Sequence, residues 1–187
     1  RSCMGVSLHF LRKLSAITVN GARIDRVPLD TIAVKIPKEE LRDIGFKDDQ
    51  QEVELVFAYS NLAIERLIKE PSLYQYFPMT KEVHGMAYVI HSNGLQKQAQ
   101  RTELNADSPI NSRLLARILT RVKEQALEWM QNDPERYRTL FKVILYSAFT
   151  PARLSVLRES LQQPLIELIR AHVPTMDGRF VPKEQVG

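Results

Sequence analysis

The apolar and polar residues of this chain follow two rhythms. Up to about residue 107 the apolar positions come in short alternating runs, and beyond it they recur every three or four residues. Alternation sends successive side chains to opposite faces of a strand, whereas steps of three and four fill one side of a helix. In the first part, AITVNGARI carries β-branched residues on both sides of Asn20-Gly21. That dipeptide suits a type I′ turn, whose two central residues need φ above zero, so the pattern predicts strands over about 16–20 and 22–27. TIAVKIP and EVELVFAYS alternate as strands, with PKEELRDIGF between them as a short helix or turn. NLAIERLIKEP has a helical period that stops at Pro71, and LYQYFPM and GMAYVIHS are two further aromatic-rich strand candidates.

The second part reads as helices with marked starts. Ser108 is placed to be an N-cap, with Pro109 at the first helical position where its missing N–H costs nothing. Leu115, Ile118, Leu119, Val122, Ala126, Trp129 and Met130 then form one apolar stripe. Asp133-Pro134 repeats the start signal ahead of a second stripe of Tyr137, Leu140, Phe141, Ile144, Leu145 and Ala148. Thr150-Pro151 repeats it a third time, before Leu154, Leu157 and Leu161. Pro164 either kinks that helix or opens a fourth containing Leu165, Ile166 and Ile169, and PTMDGRFVP reads as a turn into a last strand. The expected architecture is α+β: a mixed sheet with covering helices over 1–107, then a small helical bundle over 108–187 ending in a short strand.

Composition narrows the setting. With 187 residues and 44% hydrophobic content the chain can build a real core. A single cysteine, Cys3, excludes an internal disulfide framework and a cysteine-based zinc site, which fits a reducing, cytoplasmic compartment. No apolar run nears the roughly 20 residues that span a bilayer, and the first residues lack a signal-peptide pattern, so membrane insertion is not expected. A formal charge of +4 and a pI near 9.2 permit nucleic-acid binding, but charges of both signs are interspersed. The chain opens at Arg1 and closes on FVPKEQVG, a strand-like run stopped short, and is expected to be a piece of a longer protein.

Few residues carry obvious chemistry. The sequence contains no G-x-G-x-x-G, no G-x-x-x-x-G-K-[ST], no H-E-x-x-H and no G-x-S-x-G, so no nucleotide loop of the usual kind is expected. His84 and His91 flank GMAYVI at an odd offset that would put them on opposite faces of a regular strand, which disfavours a metal pair; no metal site is expected. Cys3 has no neighbouring base to activate it. Arg113, Arg117 and Arg121 line one helix face with Glu124 and Glu128 behind them, either as a solvated face with intrahelical pairs or as a ridge that tracks phosphates. Tyr74, Tyr76, Phe77 and Tyr88 could stack bases, or fill a core. Arg101 lies in the polar stretch between strand and helix. It is either a surface side chain or a fork of donors presented to a phosphate bound elsewhere.

A resemblance bears on that choice. LYQYFPM followed by GMAYVIHSNGL, then QKQAQRTELN, then SRLLARILTRVKEQALEWMQNDPERYRTLF, resembles the middle segment of the ninety-kilodalton heat-shock chaperone family and of related GHKL-type ATPases, including sacsin-like proteins. QKQAQRTELN is similar to the family's catalytic loop, Asn-x-Ser-Arg-Glu-x-Leu-Gln. Arg101 falls on its arginine and Leu104 on its leucine, while Gln98, Gln100, Thr102 and Asn105 depart from it. Downstream, LQQPLIELIRAHVPTMDGRFVPKEQV resembles sacsin-type ATPases, and the likeness covers about two thirds of the chain.

The resemblance implies a ribosomal-protein-like β-α-β middle-domain fold. It implies a transducer role in a chaperone-type, stress-response ATPase, with Arg101 as the catalytic residue and Gln98, Gln100 and Asn105 beside the nucleotide. ATP with Mg would be held mainly by a preceding N-terminal ATP-binding domain of the same protein, so this chain alone would not turn ATP over. That domain and client proteins would be its partners, and a homodimer stays open. The alternatives are a nucleic-acid-binding module using Arg113, Arg117 and Arg121, which the mixed charge disfavours, and a protein-interaction scaffold.

Overall fold

A computed structural model describes residues 4–11, 15–47, 49–100 and 102–186. Helix α1 (Met4–Phe10) comes first, an element the apolar pattern did not announce. Strands β1 (Ala16–Val19) and β2 (Ala22–Asp25) form the expected hairpin, with Val19 opposite Ala22. Asn20 and Gly21 take φ of 50° and 76°, both positive as a type I′ turn requires. Next come β3 (Asp30–Pro37), α2 (Lys38–Ile44), β4 (Glu52–Tyr59), a 3₁₀ turn over Asn61–Ala63 and the short α3 (Ile64–Leu67).

LYQYFPM forms two strands instead of one. Strands β5 (Leu73–Gln75) and β6 (Phe77–Pro78) fold back on each other, with Gln75 opposite Phe77, because Tyr76 between them takes φ of 62°. Strand β7 (Tyr88–Ser92) completes a sheet of order β3-β4-β7-β5-β6. The β5–β7 pairing is parallel and the others are antiparallel, so the sheet is mixed as expected.

Both faces of this sheet are covered, which explains why β4 and β7 bury nearly every residue. One face presents Leu55, Phe57, Tyr59, Tyr88 and Ile90 to the helices; the other presents Val56, Ala58 and Val89 to Val6 and Phe10 of α1. Close approach of α1 depends on Gly5, where an added Cβ would lie 2.9 Å from the Asp25 carbonyl and 2.7 Å from the Arg66 guanidinium.

Helix α4 (Pro109–Asn132) lies across β3, β4 and α2 and buries Leu114, Leu115, Ile118, Val122, Ala126 and Trp129. Ser108 sits at its cap position with extended backbone, but its side chain makes no cap bond. Helix α5 (Pro134–Ser147) starts at Asp133, whose carboxylate accepts the Arg136 N–H. Its buried face holds Tyr137, Leu140, Val143, Ile144 and Ser147, whereas Leu145, expected in the stripe, is exposed.

The third start signal does not start a helix. Thr150-Pro151 precedes a non-helical stretch whose N–H groups are taken up by side chains: Gln162 accepts from Ala152 and His84 from Arg153. Helix α6 (Ser155–Leu157) then runs through a π-helical stretch, Arg158–Gln162, into α7 (Gln163–Ala171). Pro164 can donate no N–H and its ring would crowd the carbonyl four residues back. The wider π turn before it accommodates both without ending the helix.

A hairpin of β8 (Val173–Pro174) and β9 (Phe180–Val181) closes the fold. It is fastened by the Tyr137 hydroxyl, which donates to the His172 carbonyl at 2.6 Å, and by Phe180 edge-on to the Tyr137 ring. The change of rhythm near residue 107 marks a change of element type; one apolar core runs from Ile32 to Ile169 across it.

Candidate functional site

The polar stretch between β7 and α4 is a small hairpin closed from its base. Lys97 and Leu104 form an antiparallel bridge, Gln98 donates its backbone N–H to Glu103 at 3.0 Å, and Asn105 donates to the Gln96 carbonyl at 2.9 Å. Arg101 itself lies outside the described residues, as does Cys3.

Two buried side chains hold the hairpin. Asn111, in the first turn of α4 and fully buried, accepts the Gln96 N–H at 2.8 Å and donates to the carbonyls of Gln96 and Asn105 at 2.8 and 2.7 Å. A carboxamide is suited to this task because it offers an acceptor and two donors in one plane. Glu82, also buried, accepts the Leu104 N–H at 2.7 Å. Its other oxygen lies 2.8 Å from Nε2 of the buried His84. His84 Nδ1 accepts the Arg153 N–H at 3.2 Å, which places the ring proton on Nε2, directed at Glu82. A run of hydrogen bonds that converges on Glu82 thus links the α5–α6 turn to the hairpin base.

Around the hairpin the charge is mixed. Lys81 pairs with Glu103 at 2.8 Å, lies 3.5 Å from the Gln100 side-chain oxygen and donates its N–H to the Thr102 carbonyl. Gln98 and Gln100 are exposed toward the outer end, while Asn105 sits at the base and takes part in the clamp through its backbone.

The other candidates have structural employment. Arg113 donates to the Asp43 carbonyl at 2.9 Å and Arg117 pairs with Glu40 at 2.5 Å, so both fasten α4 to α2; Arg121 pairs within its own helix, with Gln125 and Glu124. Tyr74 and Tyr88 are buried, Tyr76 and Phe77 exposed. His91 stacks on Phe10 at 4.4 Å, on the sheet face that α1 covers. Among the described residues no group of three or more His, Cys, Asp or Glu could hold a metal, and no helix is long and apolar enough to cross a membrane.

Asn111 had a signal in the sequence: it stands four residues before Leu115 on the apolar stripe, where an asparagine must find partners or remain unsatisfied. For Glu82 the bond to the hairpin had no signal, since Leu104 is distant in sequence. No family model, curated protein or solved structure matches this chain.

Proposed function

We propose that the chain is the middle, transducer-like domain of a GHKL-type, chaperone-like ATPase, in which Arg101 is offered to the terminal phosphate of ATP held by another domain. One observation supports this reading above the others: the two described arms between which Arg101 falls in the sequence are clamped by two buried polar side chains, Asn111 and Glu82, between a covered strand and the longest helix. Burying a carboxylate and a carboxamide is costly unless their bonds are made, and here those bonds fix the base of the hairpin.

In this role the arginine's charge would meet negative charge developing on the transferred phosphoryl group, and a fixed base would lower the cost of holding it there. Mg-ATP would belong to the partner domain, with exposed Gln98 and Gln100 at the domain edge. The arginine face of α4 gives less support to a nucleic-acid module, since Arg113 and Arg117 are occupied with α2.

ATP turnover by the longer native protein tests the proposal. Arg101→Ala is expected to lower kcat by about 10³-fold or more while leaving nucleotide binding nearly unchanged. Unchanged turnover would return Arg101 to the ordinary surface and leave the scaffold reading in front.

A further inference from the structure

Among the described residues Met176, Leu62 and Phe149 are the most exposed large apolar side chains, and Leu62 is the one that borders a cleft with cationic walls. Leu62, in the 3₁₀ turn after β4, is 94% exposed, and it borders an open cleft of about 590 Å³ between that turn, α3 and α5. The floor is Ala63 and buried Ile64, and the far wall is Lys142 and Tyr146, one turn apart on α5. Beyond Tyr146, which is 49% exposed, Phe149 is 80% exposed at the end of that helix. Arg66, Lys69 and Lys142 line the cleft against a single carboxylate, Glu65. Arg66 is ion-paired with the buried Glu70, so the net positive character of the walls comes from the two lysines, both exposed.

We propose that this cleft is a docking site for an acidic amphipathic segment of a partner protein, which sets an apolar side chain beside Leu62 and Tyr146 and carboxylates against Lys69 and Lys142. Charge complementarity selects the occupant. Apolar surface next to unmatched cations favours a segment that combines an apolar anchor with flanking acids, and its charges speed encounter while its anchor supplies the affinity. A nucleic acid would use the lysines and Tyr146 but leave Leu62 without a role. The proposal is independent of the phosphate reading, since none of these residues belongs to the Arg101 hairpin.

The test uses the full chain and a fluorescein-labelled designed helix with leucines on one face flanked by glutamates, read by anisotropy. A version with lysines replacing the glutamates and a single-stranded oligonucleotide serve as comparison probes. The acidic helix is expected to bind saturably, and Leu62→Ser, which alters an exposed position, to weaken it about tenfold. The double substitution Lys69→Glu and Lys142→Glu is expected to reverse the preference toward the lysine helix. Absence of saturable binding up to about 1 mM, equal affinity for Leu62→Ser, or tighter binding of the oligonucleotide to the same cleft would each overturn the proposal.

Discussion

The carboxamide of Asn111 faces two carbonyls and one N–H, and no other side chain of similar size can satisfy all three. Asn111→Ala leaves the buried Gln96 N–H without its partner and takes one of two bonds from each of the Gln96 and Asn105 carbonyls, which keep the N–H groups of Asn105 and Ser108, at a cost of about 1–3 kcal/mol. Asn111→Asp keeps the shape and the acceptor but turns a carboxylate oxygen toward two carbonyl oxygens, so it is expected to destabilise at least as much as alanine. Urea unfolding measures both variants, and hydrogen exchange at the Gln96 amide reports whether the loss is local to the hairpin. Costs below about 0.5 kcal/mol would mean that the hairpin base is not held by this side chain. Glu82 works in the same way from the opposite side, and its bond to Leu104 depends on no residue near it in sequence.

At the level of elements, the helical part was readable because its apolar period is regular and its starts are marked by proline. Helices α4 and α5 begin at Pro109 and Pro134 as the pattern predicts. The readings that failed did so where tertiary bonds override local signals. At Thr150-Pro151 the next two N–H groups go to Gln162 and His84 and the helix starts only at Ser155, and LYQYFPM breaks at Tyr76, for which the alternation of side chains gave no sign. Helix α1 was missed because MGVSLHF shows too little period, its place being set by packing on the sheet. That packing yields a prediction. Alanine is a better helix former than glycine by about 1 kcal/mol, yet Gly5→Ala should lower stability by about 1–2 kcal/mol, because the new methyl meets the backbone carbonyl of Asp25. Thermal melts decide the sign; a stabilised variant would show that α1 can shift away from β2 without loss.

One face of the sheet and the helical layer share a core, separate from the smaller cluster under α1, and its buried phenols make that cooperativity measurable. Tyr59 comes from β4, Tyr88 from β7 and Tyr137 from α5, so the group samples both the sheet and the helical layer. Burial pushes all three phenols above the ordinary tyrosine value near 10, and for Tyr59 the nearby Asp30 carboxylate adds to the effect. The folded chain then holds protons that the unfolded chain releases above pH 10, so stability is complete below that pH and falls as pH rises further. Because the three side chains lie in one core, their ionisation should coincide with global unfolding. Phenolate absorbance from them and loss of helical circular dichroism should follow one curve. Tyr88→Phe sharpens the test. Its hydroxyl is buried with no hydrogen-bond partner among the described residues, so removing it is expected to be neutral or slightly stabilising at pH 7. It also removes one linked proton and should move the alkaline midpoint upward. Tyr137→Phe gives up the bond to the His172 carbonyl and should cost about 1 kcal/mol at pH 7. Separate alkaline transitions for the sheet and the helices would mean that the two parts melt independently, and that the core joining Ile32 to Ile169 does not bind them into one cooperative unit.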